Sequence, residues 1–127
     1  MSLNDMDVLQ NVRVKINKHY KCCSASFETP NTASFKFNRL QTNVLANNIE
    51  ISGLRHQYEC YAKMLIGNSV VYVQEHAVDG KIVIPVNGTV DYLTAVLKIG
   101  LQIINVNVYV TEDSSVYHGR EKNLLLC

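Results

Sequence analysis

Between Tyr58 and Pro85 the chain reads YECYAKMLIGNSVVYVQEHAVDGKIVIP, β-branched and aromatic runs interrupted at Gly67-Asn68 and Asp79-Gly80. Such residues suit a pleated, half-buried surface, and Asp-Gly supplies the positive φ of a tight turn. The stretch predicts strands over 57–66, 69–78 and 81–86, the first two forming a hairpin and the third extending it into a meander. Pro85 lacks the N–H of a ladder, so the third strand lies at a sheet edge or ends there.

The same two-residue rhythm recurs along the chain. Val12, Val14 and Ile16 alternate with Arg13, Lys15 and Asn17, and Ala33, Phe35 and Phe37 with Ser34, Lys36 and Asn38, each a strand with one dry face. Residues 41–53 are polar and Asn-rich, which predicts a loop holding one short strand. Over 90–99, Leu93, Val96 and Leu97 fit either a short helix or an extended connection. In 101–111 the side Gln102, Ile104, Val106, Val108 and Val110 is the more apolar and should meet the core. Residues 116–127 can supply a last strand ending in Leu124, Leu125 and Leu126. Leaving those leucines in water would forgo roughly 1.5 to 3 kcal/mol each, so they should dock in the sheet or on a partner.

About seven or eight short strands separated by turn signals point to an all-β fold, an antiparallel β-sandwich of immunoglobulin-like or jelly-roll-like type, with room for one short helix near 90–99. With 127 residues the chain can bury one core. The expected organisation is a flexible lead-in at 1–9 and a single domain over 10–127.

Composition narrows the function classes. An apolar fraction of 47% and a charged fraction of 18% are those of a globular protein, and the net charge is +1. That charge gives no broad field to hold nucleic acid or an anionic membrane. No apolar run approaches the roughly 20 residues that cross a bilayer, and the first residues lack a basic start, so neither a membrane span nor a signal peptide is expected. Cys22, Cys23, Cys60 and Cys127 suit a reducing compartment. His19-x-x-Cys22 is half of a metal-binding spacing with no second half, so no metal or cofactor is expected.

Catalytic signatures are thin as well: there is no Gly-x-Ser-x-Gly elbow, Gly-rich phosphate loop or His-Glu-x-x-His helix, and the expectation is a protein that is not an enzyme. A Cys60 nucleophile served by His56 or His76 can be drawn. Yet Cys60 alternates with Tyr58 and Ala62 in an apolar run, where burial raises a thiol's pKa. Lys15, Lys18, His19, Tyr20 and Lys21, with Lys36, Phe37 and Arg39, could stack and neutralise single-stranded nucleic acid on a small β-barrel, and the tyrosines could serve carbohydrate. Lysines and tyrosines also line ordinary wet sheet faces.

The order of segments suggests a family. VRVKI, then Thr-Ala-Ser-Phe-Lys-Phe, then Tyr58-x-Cys60-x-Ala62-Lys63, then Asp79-Gly80-Lys81-Ile82-Val83-Ile84-Pro85, then Leu93 and a Gly100 ahead of Leu101-Gln102, resembles the N-terminal domain of phage baseplate upper proteins. The resemblance implies a virion structural protein made in the host cytoplasm. It would dock to other phage tail or baseplate proteins as a homo-oligomer, often a trimer, without catalysis. The expected interface patches are Val71 and Val73 at a sheet edge, Tyr109 and Tyr117 about a turn, and Leu124, Leu125 and Leu126. The alternative is a β-barrel module binding single-stranded nucleic acid or carbohydrate.

Overall fold

The computed structural model describes residues 9–17, 19–20, 26–38 and 46–111. Among them ten strands follow in order: β1 (Arg13–Ile16), β2 (His19–Tyr20), β3 (Ser26–Thr29), β4 (Thr32–Asn38), β5 (Ala46–Ser52), β6 (Glu59–Ile66), β7 (Ser69–His76), β8 (Lys81–Gly88), β9 (Val90–Ile99) and β10 (Gln102–Thr111). They form a four-stranded sheet ordered β2-β1-β5-β8 and a six-stranded sheet ordered β3-β4-β10-β9-β6-β7. Neighbours run antiparallel except β10 and β4, which are parallel. A parallel pair needs a long connection, which strands this far apart in sequence have.

The expected all-β sandwich is what the chain forms. Alternation gives the longer strands one dry side, and these sides meet in a core cluster. Val14, Ile16, Ile49, Ile51, Ile82 and Ile84 come from the smaller sheet. Phe35, Met64, Leu93, Leu97, Ile104 and Val106 come from the larger one. Tyr58, fully buried just ahead of β6, keeps its hydroxyl satisfied by donating to Gln102 Oε1 at 2.8 Å. Leu9, at the end of the expected lead-in, is buried too.

Three local expectations are corrected. Residues 90–99 are β9, with no helix, and the buried set is Val90, Leu93, Ala95 and Leu97 while Val96 faces out. The strand lies between β10 and β6, and two ladders outweigh a weak helical spacing. Second, β5 is a seven-residue strand between β1 and β8, longer than the short strand expected in a loop. Asn17, at φ 55, turns the chain and its Oδ1 accepts the Asn47 N–H at 2.6 Å. That bond ties a polar segment into the ladder.

Third, β8 does not extend the β6–β7 hairpin into a meander. Asp79 and Gly80 do make the tight positive-φ turn, with Val78 and Lys81 exchanging backbone bonds at 2.9 and 3.1 Å. Pairing across it stops at Val78 and Lys81, and β8 crosses to the smaller sheet, placing Ile82 and Ile84 beside Ile51 and Ile49. A two-residue turn fixes local geometry only; burial of the next strand's apolar side decides which layer receives it. Pro85 does lie on an edge strand, as expected.

Gly53 closes the junction between β5 and the chain leading to β6. Its φ is 81, and a Cβ there would lie 1.9 Å from the Asn11 carbonyl oxygen. Since both positive φ and backbone contact exclude a side chain, Gly53→Ala should lower stability by about 3 kcal/mol or more. A urea unfolding midpoint indistinguishable from wild type would contradict that assignment.

Candidate recognition face

The two outer faces of the sandwich differ in chemistry. On the outer side of the smaller sheet stand Arg13, Lys81 and Val83, all exposed, and the half-buried ion pair Lys15–Glu50, 3.8 Å apart. On the larger sheet it exposes aromatic and aliphatic side chains with amides between them. Tyr72 is 73% exposed, and Tyr61, Val70, Val96 and Ile103 are exposed as well.

Strand register assembles these residues. Leu65 lies between Val70 and Tyr92, and Tyr92 is opposite Tyr109. In the next row Lys63 lies between Tyr72 and Thr94, and Thr94 is opposite Asn107. In the row after that Tyr61 lies between Gln74 and Val96. The hydroxyl of Tyr61 donates to Glu59 Oε2 at 3.1 Å, and Lys98 Nζ stands 5.8 Å from the centre of its ring. The Glu59 hydrogen bond, then its charge, raises the Tyr61 hydroxyl above its ordinary pKa. Lys63 is different: its cross-strand neighbours Tyr72 and Thr94 carry no negative charge. The far side is polar and internally satisfied. Ser34, only 3% exposed, donates to Glu28, and Asn105 Nδ2 donates to Thr32 Oγ1 at 3.3 Å.

Of the residues expected to make an interface, Tyr109 is half-buried on this outer face. Val71 and Val73 lie on the opposite side of β7, packed against the core, while Val70 and Tyr72 face out. The signal was available in the turn. A two-residue Gly67-Asn68 connection sets Ile66 opposite Ser69, which places Val71 and Val73 beside core residues Met64 and Ala62. Val96 and Ile103 were also missed, each being the outward member of an alternating pair. Tyr117, Leu124, Leu125 and Leu126 lie outside the described residues, as do Lys18, Lys21 and Arg39.

Cys60 is fully buried, opposite Glu75. Burial, with a smaller contribution from the Glu75 charge, pushes its thiol up to about 12. The thiolate that a nucleophile needs is disfavoured at neutral pH. Neither histidine is set up to serve it: His76 faces the other side of β7, and the His56 ring stands edge-on to Tyr58, centroids 6.1 Å apart. Among the described residues no three His, Cys, Asp or Glu side chains are grouped to hold a metal ion.

Comparison with known proteins redirects the reading. The profile of a family described as ETM, ECORI-T site, matches residues 6–110. The ECORI-T site protein ETM homolog of Orgyia pseudotsugata multicapsid polyhedrosis virus is 56% identical over 105 residues, 83% of this chain and 96% of that protein. The ECORI-T site protein ETM of Autographa californica nuclear polyhedrosis virus is 42% identical over 113 residues, 86% of this chain and all of that protein. No solved structure matches. These relatives overturn the phage resemblance, and with it the baseplate function, the tail partners and the trimer. VRVKI and DGKIVIP are patterns that unrelated hairpins share, so they identified strands and not ancestry. The nucleic-acid or carbohydrate barrel gains no support from the relatives either. What holds is the coarser statement that the similar proteins are viral.

The buried thiol has a pH signature. Unfolding returns Cys60 from about 12 to its ordinary 9.0, so above pH 9 the unfolded chain sheds a proton that the folded chain keeps. Stability is unaffected below that value and falls above it, by up to about 1.4 kcal/mol per pH unit. Urea midpoints at pH 8 and 10 should therefore drop more for the wild type than for Cys60→Ala. Equal losses would place the thiol in water.

Proposed function

The chain belongs to the ETM family of ECORI-T site proteins, and from that premise we propose that it is a polyhedrosis-virus protein that recognises another protein and catalyses no reaction. The observation that carries this reading is the outer face of the six-stranded sheet. Protein interfaces concentrate tyrosines and aliphatic residues in a patch with a polar rim. Here Tyr61, Tyr72, Val70 and Val96 are exposed together on adjacent strands, whereas the other outer face carries Arg13, Lys81 and the half-buried Lys15–Glu50 pair around the exposed Val83.

The face also specifies what its partner presents. Lys63, set beside Tyr72 without an acidic cross-strand neighbour, would be desolvated on contact, so the partner supplies a carboxylate there and an apolar surface around it. The stiffness of the site follows from its position, since β9 and β6 are each paired on both sides. We also carry forward a place in the virion, supported by the viral origin of both relatives and tested by blotting purified virions for this chain.

Photocrosslinking in infected cells tests the face. A benzoylphenylalanine at position 72 should capture one protein other than a second copy of this chain, and the same group at position 83, on the smaller sheet, should not. Lys63→Glu should cut the yield roughly tenfold by setting like charges together. Equal capture from both positions, or indifference to Lys63→Glu, would reject the reading.

A further inference from the structure

Each sheet has two edges among the described residues, and three of the four are blunted. β2 has two residues; β3 has four, with a register shift between Phe27 and Thr29; β8 carries Pro85. Short length, bulges and proline are the usual defences against strand addition. β7 has none of these three; of the charged kind of defence it carries only Glu75, half-buried on its inner side. Its eight residues, SVVYVQEH, pair with β6 in unbroken register from Ser69 to His76.

The hairpin fixes which backbone groups are left over. Ala77 N–H donates to the Tyr58 carbonyl at 2.8 Å, and by antiparallel alternation Glu75, Val73 and Val71 likewise bond toward β6. The N–H and C=O groups of Val70, Tyr72, Gln74 and His76 therefore point away from the sheet. Their side chains are all exposed.

We propose that this edge pairs with β7 of a second copy, antiparallel about a twofold axis at Val73, joining two six-stranded sheets into one. The strand is complementary to itself in that register. Val70 comes opposite the second copy's His76 and Tyr72 opposite its Gln74, so each outward residue exchanges two backbone bonds with its opposite. Centring the pair on Tyr72 or Gln74 instead leaves an outward residue of each strand without a partner. Glu75 meets Val71 of the other copy, so no like charges are set together.

There is room at the ends as well. The pairing brings the second copy's Gly67-Asn68 turn toward the corner after β7, where a shallow hollow is lined by His76, Val78, Asp79, Lys81 and Val83. Gly67 itself has open space on the side a Cβ would take. The interface is a single strand pair, small by the standard of permanent dimers, so association should be weak and concentration-dependent. It is a different assembly from the trimer that the phage resemblance implied. It rests on the edge and not on the tyrosine face, so either reading can fail without the other.

A cysteine pair across the axis tests the register. In a chain with Cys22, Cys23 and Cys127 changed to Ser, Val73→Cys puts two thiols at a non-hydrogen-bonded pair whose Cα atoms are about 4.5 Å apart, within disulfide reach. Mild oxidation should convert it to a covalent dimer at least roughly tenfold faster than Val83→Cys, the fold-change expected of a preformed pair. Sedimentation should show wild type moving toward twice the monomer mass as concentration rises. Gln74→Pro, which removes an outward N–H and leaves the β6 ladder intact, should stay monomeric with an unchanged circular dichroism spectrum. A wild type that is monomeric at every concentration overturns the proposal. So does a dimer that survives Gln74→Pro without crosslinking at 73, or an edge engaged only by a different protein.

Discussion

Every strand of this fold must satisfy two demands at once: its backbone N–H and C=O groups need partners, and its side chains alternate between two faces. In the four-stranded sheet Ile49, Ile51, Ile82 and Ile84 take the inner side, and in the six-stranded sheet Phe35, Leu97, Ile104 and Val106 do. Once those residues are buried together, the outer faces and the free edges are no longer adjustable. They are whatever the other parity and the end strands carry. The face with Lys15 and Glu50, the tyrosine face, and the open side of β7 are three consequences of one packing arrangement.

Much of this was legible in the sequence where alternation is strong and local. Ala33, Phe35 and Phe37, the even-numbered residues of 102–108, the hairpin around Gly67-Asn68 and the edge position of Pro85 all follow from residue type and spacing. Local pattern failed where a distant partner decides. Leu93, Val96 and Leu97 fit a helix as well as a strand until β10 and β6 flank them. The layer that β8 joins depends on β5, not on the Asp79-Gly80 turn that precedes it. The Asn-rich 41–53 stretch shows one strand but understates its length, because the side chain that secures the start of β5 is Asn17, far back in the chain.

The candidate site shows the same limit in sharper form. Taking Val71 and Val73 for surface was an error of parity on a strand correctly placed, and a one-residue slip exchanges core for face. The family assignment failed for a related reason. Strand-and-turn strings report the fold's local grammar, which many unrelated sandwiches share, whereas 56% identity over 105 residues reports ancestry. Function is then argued from what the parity leaves outside, tyrosines and an uncompensated lysine, and not from the fold.

Amide hydrogen exchange along β7 in dilute protein measures that parity directly. The N–H groups of Val71, Val73, Glu75 and Ala77 should be protected by β6 and the Tyr58 carbonyl, while those of Val70, Tyr72, Gln74 and His76 exchange at rates close to an unstructured chain. Uniform protection, or protection of the opposite set, would mean that β7 is not the free edge of this sheet, and the account built on it would fall.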